Sequence, residues 1–455
     1  MKILMSEGEL RNSVAKLEIA NYLSKNYDLV VTTFSHPNLI NKYTKPLKNV
    51  KLYYIPSLLG HLSYDENEID ECERNLGMPI NKIFFNDLEL YHRYIEDKQS
   101  ALKFLCQYVK IMEKIVETEN INCFFSLCED RIYDLIPYLI IKKLKGINLM
   151  LRMAPYYGIT ATRDWMGRYT ELGKKIFPLD DKKILSYLSS VRTSHNYSKE
   201  SLDTEASTPV HKYMKNILNY VMDTAWDRRN PWRLTRFNDN FSRMGRIINR
   251  NFRRFNYREL PKQQFLFFPL HYIDDAQIRL KAPEYYNQFE LVKVISLSLP
   301  QNYQLVVKPH PFYSGGYGVD KLREVSKLKN VSVVNPLLSS RLIIEKASAI
   351  ITINSTVGYE SLILGKPVFC LSEPFYIDFA GVRKISFSSF EKNSLWQILN
   401  PDTFDELRDE IKKNLQGDVQ SLLESSVEGG IMAGDYLTER NLSCISLLLD
   451  AILKQ

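Results

Sequence analysis

Between residues 305 and 371 the chain alternates short apolar runs with polar and amphipathic stretches, and few folds accept that pattern. The runs 305–307, 331–334, 349–353 and 368–371 are brief and β-branched, which suits parallel strands buried on both faces. Helical patterns separate them, so the segment predicts a doubly wound α/β unit. In such a sheet, ligands sit outside the carboxyl ends of the strands. Two of those ends carry polar groups. Lys308-Pro309-His310-Pro311 follows the first run, and Asn354-Ser355-Thr356-Val357-Gly358-Tyr359-Glu360 follows the third.

Together these two loops describe an anion site. Ser355 and Thr356 fall where a helix over 357–364 should begin, which brings free backbone N–H groups, two hydroxyls and a positive helix end into one place. Lys308 and His310, expected one strand over, add charge-assisted hydrogen bonds. Glu360, one turn into the helix, can accept from sugar hydroxyls. The pattern fits a nucleoside mono- or diphosphate whose ribose meets a carboxylate. Taken singly, Ser355-Thr356 reads equally well as an ordinary N-cap, and Gly358 as a residue that lets helix and strand approach.

The ordered set of KPHP at 308–311, Ser339-Ser340, NSTVGYE at 354–360, GKPV at 365–368 and Phe375-Tyr376 resembles the bacterial capsule polysaccharide biosynthesis family, which includes Kdo transferases. Upstream, Phe267-Phe268-Pro269-Leu270-His271-Tyr272 with Ala282-Pro283-Glu284 and Asn287-Gln288 is similar to an FPLHYQPE-type element of surface-carbohydrate proteins. Here residues 273–281 interrupt that element, which loosens the tie between His271 and Glu284. The resemblance spans residues 264–380. It implies a GT-B-like glycosyltransferase, α/β, with two Rossmann-like domains facing a cleft and the donor nucleotide held by the C-terminal one. It also implies donor-binding roles for Lys308, His310, Ser355, Thr356, Glu360, Glu284, His271 and Asn354.

At 455 residues the chain has room for two domains of ordinary size. With 45% hydrophobic and 25% charged residues, it has the composition of a soluble globular protein. No apolar run reaches the length of a membrane span, and Met1-Lys2-Ile3-Leu4-Met5 is too short for a signal-peptide core. Cys72, Cys106, Cys123, Cys128, Cys370 and Cys444 lack CxxC spacing and read as reduced thiols of a cytoplasmic protein.

The first half opens as a second α/β unit, with strands over 2–5, 29–33 and 50–55 and a helix over 9–24. Residues 57–85 read as a solvated loop or short helix around the acids Asp65, Glu66, Glu68, Asp70 and Glu71. A long helical pattern runs over 87–119. A strand over 123–127 ends at Cys128-Glu129-Asp130-Arg131, a helix follows over 132–144, and a further strand over 149–153. Glu129 or Asp130 is the expected catalytic base that takes the acceptor hydroxyl proton, with His310 as the third catalytic candidate. The alternative for both acids is a helix cap paired with Arg131. Glu7 and Glu9 are runners-up.

Residues 160–260 follow no βαβ pattern. Arg243, Arg246, Arg250, Arg253 and Arg254 recur at helical spacing with aromatics interleaved, as a contact with an anionic membrane surface would require. A solvated helix face that packs its arginine stems on the domain is the competing reading. No nucleic-acid module surrounds the segment, and no nucleic acid is expected.

The expected domains are thus 1–158, Rossmann-like, for the acceptor; 159–262, a mainly helical, basic insertion; 263–400, for the nucleotide sugar; and 401–455, helices that pack back on the first. The expected activity is transfer of a sugar, CMP-Kdo in the nearest relatives, to a growing polysaccharide or lipid-linked acceptor. It requires no cofactor beyond the nucleotide-sugar substrate and no metal, since no Asp-x-Asp stands at a strand end. The expected location is cytoplasmic, peripheral on the inner face of the plasma membrane. The alternatives are a CDP-polyol phosphotransferase of the teichoic-acid type, a sugar-nucleotide epimerase, and a non-catalytic assembly or export factor with a nucleotide pocket.

Overall fold

Two sheets organise the described residues, one mostly and one wholly parallel, each wound outward from a central first strand. A computed structural model describes residues 2–7, 10–37, 40, 47–59, 65–87, 91, 97–127, 131–155, 157–162, 177–193, 255–273, 275–311, 316–386, 395–428 and 439–453. The described residues fall into two units. The first runs to Pro178 and resumes at Leu422; the second takes up at Leu179 and ends at Ser421. The chain returns to the first unit within the helix Pro401–Glu424.

In the first unit, strands β1 (Lys2–Glu7), β2 (Asp28–Thr33), β3 (Val50–Tyr54), β4 (Cys123–Ser126) and β5 (Ile147–Ala154) pair in parallel in the order β3-β2-β1-β4-β5. Two more strands extend the sheet, where the sequence shows no strand pattern. Strand β6 (Gly158–Thr162) turns back antiparallel on β5, and β13 (Ser426–Glu428) pairs antiparallel with β6. Both are short and rich in Ser and Thr, so periodicity could not raise them above loop. Pairing satisfies them instead, and the Thr160 hydroxyl donates to the Ser425 carbonyl at 2.8 Å. The helix Glu439–Leu453 buries Ile445, Leu448, Leu449 and Ile452 in the core of this same unit.

Of the two readings of 57–85, loop or short helix, the described residues take the helical one, with helices Ile55–Leu59, Glu68–Leu76 and Ile80–Asn86. Its acidic cluster has a helical use. Glu68, Asp70 and Glu71 occupy the first turn of Glu68–Leu76, where carboxylates oppose the positive helix end. Gly77, at φ 62°, stops that helix in the left-handed region, where a side chain would be strained. The long helix downstream is Lys98–Thr118, capped by Asp97 through the Ser100 N–H.

In the second unit, β7 (Phe265–Pro269), β8 (Gln304–Lys308), β9 (Val331–Val333), β10 (Ala349–Thr352), β11 (Val368–Cys370) and β12 (Val382–Lys384) form an all-parallel sheet in the order β12-β11-β10-β7-β8-β9. The apolar runs of the sequence became these strands because both faces are covered. Phe267, Val306, Val307, Ile350, Ile351 and Phe369 are all fully buried, each contributing about 1.5–3 kcal/mol relative to exposure. The fold class is the α/β one expected of a GT-B-like chain, with two Rossmann-like units. The basic helix expected over 243–254 lies outside the described residues, as do Glu129, Asp130, Cys128 and Glu9.

Candidate functional site

The strand order locates the site. From β7 the chain winds to β8 and β9 on one side, then crosses to β10 on the other. Ligands bind where such a sheet reverses direction, outside the carboxyl ends of the two diverging strands. Those ends carry His271, two residues past β7, and Asn354, two residues past β10. Lys308 is the last residue of β8, and His310 lies two beyond it. One correction follows. The KPHP and NSTVGYE loops are not on adjacent strands, because β7 stands between β8 and β10 and brings His271 into the middle. Sequence order could not reveal this, since β7 is the earliest of the three strands in the chain.

Hydrogen bonds lock the three loops together. The His271 N–H donates to Gln288 Oε1 at 2.7 Å, and Gln288 Nε2 donates back to the His271 carbonyl at 3.1 Å. The Tyr317 hydroxyl donates to that carbonyl at 2.9 Å and accepts from the His310 N–H at 3.1 Å. From the third loop, the Asn354 N–H donates to His271 Nε2 at 3.5 Å, and its Nδ2 donates to the Gln277 carbonyl at 2.7 Å. Tyr317 and Gln277 were not foreseen as site residues, and Gln288 entered only as part of a resemblance. Each lies in a helix or loop packed behind the strand ends, and nothing in its spacing marks it.

Burial dominates the electrostatics of the cluster. Lys308 is 7% exposed, and among the described residues its ammonium makes no hydrogen bond and no ion pair. Burial pushes it down to about 8, against the opposing pull of the Glu360 carboxylate. Burial and then the Lys308 charge push His310 down to about 4. Burial and then His310 push His271 to about 3. At neutral pH the cluster is therefore one ammonium and two neutral imidazoles.

The helix Thr356–Ile363 adds its N-terminus. Ser355 is the N-cap, its hydroxyl accepting from the Val357 N–H at 3.2 Å while its own N–H donates to Thr352 Oγ1 at 3.0 Å. The Gly358 N–H donates to the Ser355 carbonyl at 3.0 Å. Thr356 is exposed, and Glu360 is half-buried on the same helix, acting on Lys308. The N-cap reading of Ser355 is thus correct; with the Ser355, Val357 and Gly358 N–H groups bonded inside the protein, the Thr356 N–H is what the helix end has to offer a ligand.

Glu284 stands apart. It is exposed on the single 3₁₀ turn Pro283–Tyr285, and the neighbour its charge acts on is Tyr285. In the first unit, the runner-up Glu7 is buried at the end of β1, its carboxylate accepting from the Ser35 hydroxyl at 3.0 Å and from the Thr33 hydroxyl. Among the described residues no group of His, Cys, Asp and Glu is placed to hold a metal ion, and no helix is long and apolar enough to cross a membrane.

Residues 168–384 match the family model described as capsule polysaccharide biosynthesis protein. Protein FixF of Sinorhizobium fredii is 32% identical over 116 residues, a match covering 25% of this chain and 27% of FixF. The capsule polysaccharide modification protein LipA of Neisseria meningitidis serogroup B is 28% identical over 103 residues, covering 23% of this chain and 14% of LipA. The matches thus span only a minor part of either relative. Among solved structures, the Thermosulfurimonas dismutans KpsC, a beta Kdo 2,7 transferase, aligns over 69% of this chain and 78% of its own, with a TM-score of 0.32 and 16% identity. The UDP-GlcNAc 2-epimerase of Methanocaldococcus jannaschii covers 93% of this chain and 98% of its own, at a TM-score of 0.28 and 11% identity.

Proposed function

We propose that this chain, a member of the capsule polysaccharide biosynthesis family over residues 168–384, is a glycosyltransferase that holds a nucleotide-sugar donor at the strand ends of its second unit. The observation that carries the reading is Lys308. A buried ammonium is costly; the Glu360 carboxylate acts on it without forming an ion pair among the described residues, and a phosphate would supply a direct partner. The flanking imidazoles and the helix N-terminus offer the further donors that a phosphate uses.

In this reading Lys308, His310, Ser355 and Thr356 offset the charge that develops on the leaving nucleotide as the glycosidic bond breaks, the stage at which fixed donors help most. His271 and Asn354 hold the loops that carry them. Glu360 orients ribose or sugar hydroxyls, and Glu284 serves the more distant part of the donor. Glu129 or Asp130 takes the proton of the acceptor hydroxyl. A Kdo-like donor on CMP is the one that the family resemblance favours. No resident metal takes part. The acceptor is a glycan or lipid-linked glycan, and Arg243, Arg246, Arg250, Arg253 and Arg254 bring the protein to the inner face of an anionic membrane.

Thermal-shift binding tests the donor site with CMP, CDP, UDP, GDP and their sugar conjugates, on wild type and on His310→Ala. A ligand at ~100-fold its Kd stabilises by roughly 2.7 kcal/mol. Stabilisation of wild type by one nucleotide, lost in the variant, is the expected result; no response to any nucleotide would sink the donor reading. Release of nucleotide on turnover separates an enzyme from a binding factor. For the membrane, vesicles with and without anionic lipid are compared using wild type and an Arg-to-Ser variant of the five positions. Equal retention of both proteins would refute the contact.

A further inference from the structure

We infer that Tyr376 is a positioning residue for the donor site, acting on the end of the helix Thr356–Ile363 and touching no ligand itself. Its hydroxyl donates to the Ser355 carbonyl, the oxygen that also accepts from the Gly358 N–H at 3.0 Å. Two donors therefore converge on the N-cap carbonyl from inside the protein. The peptide unit is planar and trans, so its N–H points opposite to its C=O. Pinning the Ser355 carbonyl inward thus aims the Thr356 N–H outward, at the mouth of the helix where an anion would sit.

The brace is built into the fold. Tyr376 is fully buried and its hydroxyl also contacts the Cys370 thiol at the end of β11. Its ring is flanked by Phe375, with centroids 5.0 Å apart, and by Tyr359 at 6.4 Å. Gly358 makes the approach possible, since a Cβ there would lie 2.6 Å from Tyr376 Cζ and nearer still to the hydroxyl. The glycine of the NSTVGYE loop is therefore explained by the tyrosine eighteen positions on, at 376, and not by the ligand.

What the helix end holds rests on the donor reading; that Tyr376 orders it does not. Tyr376→Phe deletes the hydroxyl and keeps the ring. Amide exchange over 355–360 is measured in the ligand-free protein, with 265–268 as the internal reference. CMP, CDP and UDP are then titrated into wild type, Tyr376→Phe and Lys308→Ala. In Tyr376→Phe, exchange at 357 and 358 should quicken by about five- to tenfold, the span of one hydrogen bond, while 265–268 stays unchanged. The affinity of the nucleotide that wild type binds should fall by a similar factor. Unchanged exchange at 357 and 358 overturns the inference whatever the nucleotides do. So does full nucleotide affinity in Tyr376→Phe when Lys308→Ala has lost it. If wild type binds no nucleotide, the donor reading fails, and the exchange result still decides whether Tyr376 orders the helix end.

Discussion

The backbone N–H of Asn354 donates to Nε2 of His271 across 3.5 Å, joining the loop after β10 to the loop after β7. A ring nitrogen that accepts carries no proton, so this contact assigns the proton of a neutral His271 to Nδ1. The unfolded chain binds a proton at both histidines near 6.5, whereas the folded protein holds His310 near 4 and His271 near 3. Between those values the unfolded state carries more protons, and stability falls as pH drops from 6.5 towards 3. The loss grows as pH falls below 6.5 and each buried imidazole resists the proton that the unfolded chain takes up. Denaturation midpoints at pH 7, 5 and 4 should fall more steeply in wild type than in His271→Asn or His310→Asn. Parallel curves would refute the assignment.

Lys308 predicts a trade of stability against binding. Replacing it with Met keeps a side chain of similar length and removes a buried ammonium that has no ion pair among the described residues. Urea unfolding of Lys308→Met should show a gain of about 1–2 kcal/mol, and nucleotide binding should be lost. In wild type, proton loss from the buried Lys308 adds stability as pH rises from about 8 towards its unfolded value of 10.5, because the unfolded chain still holds that proton. That increment should be missing from the variant. A destabilised variant would mean that Lys308 is paired in solution.

The first unit's strand ends hold a different arrangement. Lys16 Nζ lies 2.8 Å from Asp134 Oδ2 and 3.2 Å from the Ser6 carbonyl, while Ser126 donates to Asp134 Oδ1 at 2.7 Å. Both charged side chains are at least nine-tenths buried. Asp134→Ala leaves an uncompensated ammonium and should cost about 3–5 kcal/mol. The double variant Lys16→Met/Asp134→Leu should cost less than Asp134→Ala alone, by equilibrium unfolding. Simple additivity would show that the pair is not coupled.

Two glycines in helices should respond oppositely to alanine. At Gly358 the new Cβ meets Tyr376, and overpacking should cost about 1–3 kcal/mol. At Gly417, inside Pro401–Glu424, nothing lies within 4 Å of the new atom. That change should stabilise by about 0.5–1 kcal/mol through helix propensity. Thermal unfolding of the two single variants checks both signs.

The α/β class and the strands of the second sheet could be read from the sequence, as could the Ser355 N-cap and the placing of Lys308 and His310 at the end of a strand. Buried parallel strands need continuous β-branched runs, and a helix that opens on Ser-Thr announces its own start, so both signals are local. Only the tertiary structure decided that β7 lies between β8 and β10, which placed His271 at the centre and left Glu284 exposed on a separate turn. It also decided that Gln288, Tyr317 and Tyr376 hold the loops, and that β6 and β13 extend the first sheet. These are facts of pairing between distant segments. A glutamine that clamps a histidine seventeen residues earlier, or a three-residue strand that joins a sheet edge, leaves no period in the chain, because its partner is chosen by packing and not by neighbours in sequence.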